Sequence, residues 1–242
     1  MRRFFAELDG VAPGSLVTLP KDEAAHAART LRLRAGDRVG LIDGLGSSFA
    51  AVLVEAGERV SAEIVESLPP NEPRLRTTLY QGLPKLDKLE RIIQQSTEIG
   101  VDRIVPVLFE RCDAKIFSKE RAARGNRIAR ESSKQCGRAV CPPVEPMISF
   151  DECAARVSLE ENAYLFWERA VEPFAEQFAK RPPGLRRASI IIGPEGGVSD
   201  AEAERLVRAG AIPVSLGSRI LRTETAPVAA LALMLGLYGD MG

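Results

Sequence analysis

Residues 189–200 read Ser-Ile-Ile-Ile-Gly-Pro-Glu-Gly-Gly-Val-Ser-Asp, and this stretch decides the fold class of the chain. The apolar run before Gly193 predicts a strand buried on both faces, as in a parallel sheet. The glycines that follow indicate a loop, and Ser199 is a good N-cap for a helix over 202–208. A strand, a glycine loop and a capped helix in this order are typical of α/β proteins, which bind ligands at the carboxyl ends of their strands.

The same alternation extends back to residue 74 and onward to the C-terminus. Strands are predicted at 76–80, 103–108, 163–166, 188–192 and 212–216. Apolar spacing at Leu86, Leu89, Ile92 and Ile93 predicts a helix between the first two strands, and Gly100 is placed to end it. The segment 226–238 is apolar on nearly every side, so we expect a helix buried in a core or in a subunit interface. This pattern predicts a mostly parallel α/β sheet.

The N-terminal part of the chain has a different pattern. Short β-prone segments at 15–19, 38–43, 49–54 and 59–65 are bounded by Gly or Asp, which favours a small β-barrel. Three prolines within 68–73 disfavour helix and cannot donate to a sheet, so this stretch is the predicted linker. We therefore expect a β-barrel domain over 1–70 and an α/β domain over 74–242.

Composition limits the classes of function. The 33 basic and 33 acidic residues cancel, so any nucleic-acid site has to be a local patch. The four cysteines form no C-x-x-C pair and the single histidine, His26, is distant from them, which predicts reduced thiols and no metal site. No apolar run has the length of a membrane span and no leader precedes the first domain, so we expect a cytoplasmic protein without a membrane partner.

Two glycine loops are the candidate sites of chemistry. The loop at 193–197 matches neither G-x-x-x-x-G-K-S/T nor G-x-G-x-x-G, which argues against an NTPase, a Rossmann-type methyltransferase or an NAD enzyme. The alternative to a ligand site at 193–197 is an ordinary tight turn between strand and helix. The second loop, at 216–225, carries Arg219, Arg222 and Glu224 next to apolar sequence. Charge in such a place is costly unless it is paired or used, so an Arg222–Glu224 salt bridge that fixes the loop is a second alternative.

At these loops the chain resembles a known family. The sequences Gly-Pro-Glu-Gly-Gly at 193–197 and Leu-Gly-Ser-Arg-Ile-Leu-Arg-Thr-Glu-Thr-Ala at 216–226 resemble the two hallmark motifs of the RsmE family, 16S ribosomal RNA (uracil-N3) methyltransferases of the SPOUT superfamily. Similar family segments occur at 26–32 with 36–37, at 94–101 and at 131–138. The likeness runs from His26 to Pro227. The sequence departs from it at Gln95, where the family usually has lysine, and at Cys112, where serine is common.

The resemblance implies a fold, an activity and partners. The fold would be an N-terminal PUA-like β-barrel followed by a SPOUT-type α/β methyltransferase domain with a C-terminal trefoil knot. The residue pattern alone would not predict a knot, because true knots are essentially absent from proteins. The implied activity is methylation of N3 of a uridine in 16S ribosomal RNA of the small ribosomal subunit, with S-adenosylmethionine as the methyl donor. The family also implies a homodimer that uses the C-terminal helix.

The resemblance implies site residues as well. The cofactor would be held largely by backbone groups of Leu165, Glu168, Gly193, Pro194, Glu195, Gly196, Gly197, Leu216, Gly217, Ile220, Leu221, Thr225 and Ala226. For catalysis, Arg222 or Arg138 would hold the carbonyl oxygens of uracil and stabilise the imide anion. Glu195 or Glu131 would accept the N3 proton.

RNA contact is predicted at two basic patches. The first consists of Arg124, Arg127, Arg130, Lys134 and Arg138, which fall within about a third of a helix circumference. Gly125 is expected to interrupt this helix, and a solvated charged face is the alternative. The second consists of Arg29, Arg32 and Arg34 on the barrel, with His26 beside them as either an RNA contact or a packed structural residue.

Two other functions compete with this interpretation. A SPOUT methyltransferase can act on another RNA or another atom, because the cofactor site and the target specificity are separable. Alternatively, the chain is a non-catalytic RNA-binding module whose glycine loops are structural. Binding of S-adenosylmethionine discriminates between the enzyme and the module.

Overall fold

The computed structural model describes residues 1–241, with the Leu86 side chain left out of the description. The chain divides into two compact units. Unit 1 contains Met1–Glu72 together with Arg130–Cys141, and unit 2 contains Pro73–Ala129 and the described residues from Pro142 onward. A short segment of the later chain therefore belongs to the N-terminal unit.

Unit 1 is built on a five-stranded sheet. Its strands are β1 (Arg3–Phe5), β2 (Leu16–Thr18), β3 (Arg38–Ile42), β4 (Ser48–Ala56) and β5 (Val60–Ser67), in the order β1-β3-β4-β5-β2. Only β1 pairs in parallel, with β3. Two register shifts between β4 and β5 bend the sheet, because an extra residue in one strand increases its local twist. This curled sheet confirms the β-rich N-terminal prediction.

One face of the curled sheet is closed by a short helical segment. Helix α1 (Lys21–Ala25) runs directly into a π-helical turn, His26–Thr30. Phe4, Leu41 and Leu53 pack with Ala24 and Ala27 in the core beneath it. The sequence prediction did not include β1 or this helical segment.

Unit 2 is a six-stranded parallel sheet. Its strands are β6 (Arg76–Gly82), β7 (Arg103–Leu108), β8 (Ile148–Ser149), β9 (Ala163–Phe166), β10 (Arg187–Ile192) and β11 (Ile212–Val214). They follow the order β11-β9-β10-β6-β7-β8, and every pair is parallel. The helices are α2 (Leu86–Ile99), α3 (Lys119–Cys136), α4 (Phe150–Val157), α5 (Phe174–Ala179), α6 (Asp200–Arg208) and α7 (Ala226–Tyr238). The residues of α3 from Arg130 onward belong to unit 1. The predicted parallel α/β sheet is confirmed, with the isoleucine-rich β10 between β9 and β6.

Local signals account for several helix boundaries. Gly100 follows α2 with φ 120°, a conformation that glycine adopts at low cost. Ser199 caps α6 in a capping box with Glu202, so each side chain satisfies a backbone N–H of the first turn. Gly239, with φ 89°, follows α7 in the same way as Gly100 follows α2.

The expectation that Gly125 would interrupt its helix is wrong. Helix α3 is continuous over 18 residues. A Cβ on Gly125 would lie 3.1 Å from side-chain atoms of both Ile93 and Val144, so the glycine allows close packing within unit 2. The helix ends at Cys136, before Gly137 with φ 92°, and Arg138 therefore lies beyond the helix on which it was predicted.

Candidate active site

The carboxyl ends of β9, β10 and β11 open into three loops that line one cavity. Its volume is about 850 Å³, within the usual range for small-molecule sites. Most of the cofactor residues proposed from the sequence line it: Glu168, Gly193, Pro194, Glu195, Gly196, Gly197, Leu216, Gly217, Ile220, Leu221 and Ala226. Leu165 is fully buried inside β9, and Thr225 is the N-cap residue of α7. The three loops are therefore brought together as expected from parallel strands that end at one edge.

Packing explains why the first loop contains glycine. A Cβ on Gly196 would lie 2.8 Å from Cβ of Arg111 and 2.9 Å from its carbonyl oxygen. Gly197 has φ 73°, and a Cβ there would lie 2.9 Å from Oε1 of Glu168. Both positions require glycine, so at Gly196 and Gly197 the loop has no side chain that could keep a ligand from the backbone.

Exposed apolar side chains stand at the cavity. Val171 and Ile220 both line it, and each is 85% exposed. Trp167, the one tryptophan of the chain, lines the cavity as well. Apolar side chains left open to solvent in a concave site are typical of surfaces that a ligand covers.

A buried polar contact joins the two glycine loops. The Thr223 hydroxyl donates to the Gly193 carbonyl at 2.8 Å, and Nε2 of Gln81 donates to the Thr223 hydroxyl at 3.1 Å. Both side chains are buried, and Gln81 lies near the carboxyl end of β6. The sequence analysis gave neither residue a role: Thr223 is a neutral position within the second motif, and Gln81 belongs to no charged or glycine-rich pattern.

The charged groups pair differently from the alternative considered above, a salt bridge between Arg222 and Glu224. Nζ of Lys88 lies 3.4 Å from Oε2 of Glu224 and 3.4 Å from Oε1 of Glu195. Arg222 is exposed, lines the cavity and makes no ion pair within residues 1–241. The partner of Glu224 is therefore a lysine from α2, a residue that the sequence analysis did not include in the site.

These contacts change the acidity of the groups involved. Burial by itself opposes the charge on Lys88, but its ion pairs with Glu195 and Glu224 outweigh burial and raise the pKa of the ammonium group. Burial also acts to raise the pKa of Glu224, but the backbone N–H, Lys88 and nearby Arg222 together lower it. Lys88 and Glu224 therefore remain charged around neutral pH.

Glu195 is engaged at the start of α2. Its Oε1 accepts the backbone N–H of Lys85 at 3.1 Å, in addition to the contact with Lys88. A carboxylate at a helix N-terminus is stabilised by the unpaired N–H groups there. The role of Glu195 as acceptor of the uridine proton stays a prediction.

Arg138 and Glu131 do not line the cavity. Arg138 is buried in unit 1, where its guanidinium group donates to Oε2 of Glu72 at 2.7 Å. The other carboxylate oxygen of Glu72 accepts the backbone N–H of Val140. Glu131 is exposed on α3. Their catalytic roles stay predictions, and the contacts of Arg138 are those of a structural residue.

The basic helix patch is largely neutralised. Arg124 pairs with Glu90 in unit 2 at 2.8 Å. In unit 1, Lys134 pairs with the buried Glu23 at 2.7 Å, and the Arg130 guanidinium lies over the Phe5 ring, 3.4 Å from its centroid. Arg127 is exposed. Charges that are already paired contribute less to RNA binding than free ones, so this patch gives limited support to the predicted RNA contact.

The barrel patch is free of such pairing. Arg29, Arg32 and Arg34 are exposed and make no salt bridge within residues 1–241. Arg32 has φ 52°, an unusual value for a residue other than glycine, directly after the π-helical turn. His26 is half-buried, with its ring edge-on to Phe4 at 6.3 Å between centroids. Three exposed cations within six residues favour a polyanionic partner.

The described residues offer neither a metal cluster nor a membrane-spanning helix. Residues 1–241 contain no group of three or more His, Cys, Asp or Glu side chains placed to hold a metal ion. Over the same residues, no helix is both long enough and apolar enough to cross a bilayer.

The comparison with known domain families defines the class of protein. A model of the RNA methyltransferase domain matches residues 70–235, and a model of the RNA methyltransferase PUA domain matches residues 19–65. The chain is therefore a PUA-containing member of the RNA methyltransferases. Within that class, it belongs to the ribosomal RNA small subunit methyltransferase E family, which confirms the resemblance found in the sequence.

Relatives cover most of the chain. It is 30% identical over 244 residues to ribosomal RNA small subunit methyltransferase E of Bacillus subtilis, which covers 96% of this chain and 95% of that protein. The Synechocystis protein of the same name is 35% identical over 218 residues, covering 89% of this chain and 71% of that one.

Solved structures agree with this assignment. The structure of a Neisseria gonorrhoeae ribosomal RNA small subunit methyltransferase E bound to S-adenosylmethionine covers 100% of both chains, with a TM-score of 0.88 and 32% identity. A Legionella pneumophila methyltransferase in complex with S-adenosylmethionine has a TM-score of 0.84 and 30% identity, with 97% of this chain and 96% of that chain covered.

Proposed function

We propose that this chain transfers the methyl group of S-adenosylmethionine to N3 of a uridine in 16S ribosomal RNA of the small ribosomal subunit. The observation that carries the proposal is the cavity at the carboxyl ends of β9, β10 and β11, built from the two glycine loops that resemble the family motifs. Membership in the family supports the activity. The two relatives crystallised with S-adenosylmethionine support the cofactor.

The cavity fits such a cofactor in two respects. Gly196 and Gly197 leave no room for side chains, so a ligand can approach the loop backbone closely. Val171 and Ile220 offer exposed apolar surface to an aromatic ring. The sulfonium group of S-adenosylmethionine supplies an electrophilic methyl group when bound. The residues proposed to hold it are Glu168, Gly193, Pro194, Glu195, Gly196, Gly197, Leu216, Gly217, Ile220, Leu221, Thr225 and Ala226, with Leu165 behind them in β9.

The protein has to position a base and manage one proton. Uracil N3 carries a hydrogen, and its loss leaves negative charge on the two carbonyl oxygens. Arg222 is the cation proposed to stabilise that charge, because it lines the cavity and has no ion pair within residues 1–241. Glu195 is the proposed proton acceptor on the same cavity wall. The base would be splayed out of its RNA context, at a cost of a few kcal/mol.

Unit 1 is the proposed RNA-docking unit. The free cations Arg29, Arg32 and Arg34 are suited to phosphate contacts, which orient RNA without reading its sequence. Arg127 and Arg130 on α3 are exposed and are proposed as additional contacts. Because the substrate is ribosomal RNA, the proposed location is the cytoplasm.

A trefoil knot and a homodimer complete the proposal. The contact of Thr223 with Gly193 holds the second glycine loop against the first, which is consistent with a threaded C-terminal segment. One face of α7 packs Leu231 and Leu235 into unit 2, whereas Leu233 and Leu237 are exposed. An apolar helix face left open to solvent is typical of a subunit interface. We propose that a second copy of the chain covers it.

A methylation assay tests the proposed function. Small ribosomal subunits that lack the modification are incubated with the protein and labelled S-adenosylmethionine, and the nucleosides are analysed by mass spectrometry. We expect the labelled product to be 3-methyluridine. Arg222→Ala should lower kcat/KM by about 10²-fold or more, because it removes the cation proposed to stabilise the anion. Arg29→Ala should change mainly the KM for RNA. Label in another nucleoside would indicate a different target. No label and no cofactor binding would favour an RNA-binding module.

A further inference from the structure

Among the described side chains of α2, Lys88 is the one that lines the cavity. It lies in the first turn of that helix, and its Nζ contacts one carboxylate from each glycine loop, Glu195 and Glu224. The two carboxylates are 29 positions apart in sequence. A single ammonium group therefore joins two loops that are distant in the chain.

All three groups are largely withdrawn from solvent. The exposed fraction of the side chain is 27% for Lys88, 22% for Glu195 and 11% for Glu224. Partial burial makes charge interactions stronger than they are at the surface, because less water screens them. An uncompensated carboxylate in such a place costs free energy, and two carboxylates facing each other repel.

Other contacts fix the two ends of this bridge. Glu195 also accepts the Lys85 backbone N–H, so the first loop is attached to the start of α2. Thr223 lies directly before Glu224 and is held by Gln81 and Gly193. The lysine thus lies between two carboxylates from loops that other contacts also hold.

We infer that Lys88 is a positioning residue that sets the spacing of the two cofactor-binding loops through Glu195 and Glu224. The inference rests on the proposed function, because it concerns the same cavity. Lys88 acts on the loops and not on the transferred methyl group. Its loss should therefore weaken binding of S-adenosylmethionine without changing the affinity for RNA.

The test compares two methionine variants that each remove one positive charge from α2. Lys88→Met removes the bridge, whereas Arg91→Met removes an exposed cation on the same helix. Calorimetric titration with S-adenosylmethionine should show a Kd about tenfold higher for Lys88→Met and unchanged for Arg91→Met. Lys88→Arg should recover most of the affinity, because it retains the cation. In Lys88→Met, hydrogen exchange should be faster in residues 193–197 and 216–225.

A double variant distinguishes a charge bridge from general damage to the fold. Lys88→Met with Glu224→Gln removes one charge of each sign, so the loss of affinity should be smaller than the sum of the two single losses. Unfolding temperatures measured in parallel show whether each variant folds. An unchanged Kd in folded Lys88→Met would overturn the inference, as would a higher KM for RNA with an unchanged cofactor Kd. Failure of the wild-type chain to bind S-adenosylmethionine would instead overturn the proposed function.

Discussion

Nε2 of Gln81 donates a hydrogen bond to the Thr223 hydroxyl, although the two residues are 142 positions apart in sequence. The same hydroxyl donates to the Gly193 carbonyl. One threonine therefore holds the end of β6, the first glycine loop and the second glycine loop at fixed distances. The ligand cavity lies along these loops, so its shape depends on a contact between buried polar groups.

Removal of the Thr223 hydroxyl should weaken both the fold and the cofactor site. Thr223→Val keeps the shape of the side chain but leaves the Gly193 carbonyl and one Gln81 N–H without this partner. We expect a loss of about 1–3 kcal/mol in the free energy of unfolding and a higher Kd for S-adenosylmethionine. Urea denaturation and calorimetry measure the two effects. Thr223→Ser retains the hydroxyl and should remain near wild type; equal losses in both variants would argue against the hydrogen bond.

A side chain at Gly196 should displace the first glycine loop. The new Cβ would lie 2.8 Å from Cβ of Arg111, so either the loop or the segment around Arg111 has to move. We expect Gly196→Ala to raise the Kd for S-adenosylmethionine roughly tenfold or more, because overpacking of this kind costs about 1–3 kcal/mol. Gly57→Ala is the control, since nothing lies within 4 Å of its Cβ position. Equal affinities for both variants would mean that the loop does not form the site.

The Glu23–Lys134 pair should matter for stability. Their side chains are 4% and 14% exposed, so removal of one partner leaves a buried charge. Glu23→Gln should lower the free energy of unfolding by about 3–5 kcal/mol. Glu66→Gln breaks the exposed pair with Arg38 and should cost about 1 kcal/mol or less. Urea denaturation of the two variants checks the difference, and similar small losses would show that the buried pair is not structural.

The two basic patches should differ in RNA binding. A cation that contacts a phosphate of single-stranded RNA adds about 0.7 to the slope of log K against log salt. Arg32→Met should reduce that slope, because Arg32 is exposed and unpaired within residues 1–241. Lys134→Met should leave it unchanged, because Lys134 is paired with Glu23. Filter-binding or anisotropy titrations with a 16S fragment at several salt concentrations give both slopes. The reverse result would assign RNA binding to the helix patch.

Acid should weaken the attachment of the C-terminal helix. Burial alone would raise the pKa of Asp240, but the Arg74 guanidinium and the backbone N–H groups of Leu75 and Arg74 outweigh burial and lower it. A carboxylate with a lowered folded-state pKa contributes stability above its ordinary pKa, and this stability is lost as the pH falls through the folded value. Asp240→Asn should therefore be less stable at neutral pH and should lose less stability than wild type between about pH 5 and pH 3. Thermal unfolding across that range gives both curves, and parallel curves would contradict this role.

Sequence by itself determined the elements on either side of the glycine loops and the family. The apolar run before Gly193, the cap at Ser199 and the glycine at position 100 each act within a few residues, so periodicity and turn chemistry were sufficient to predict β10, α6 and the end of α2. The two glycine-loop motifs identified the family, and most of the cofactor residues implied by them line one cavity. These features depend on neighbours in the chain, which a sequence displays directly.

Only the tertiary structure decided which charges meet. Glu224 pairs with Lys88 instead of Arg222, two positions away, and Lys134 reaches Glu23 across 111 positions. Gly125, a helix breaker by local propensity, proved to be a packing position in a continuous helix. The partner of a buried charge is set by the surfaces that strand order and helix packing bring together. Those contacts are long-range, and the spacing of residue types along the chain does not specify them.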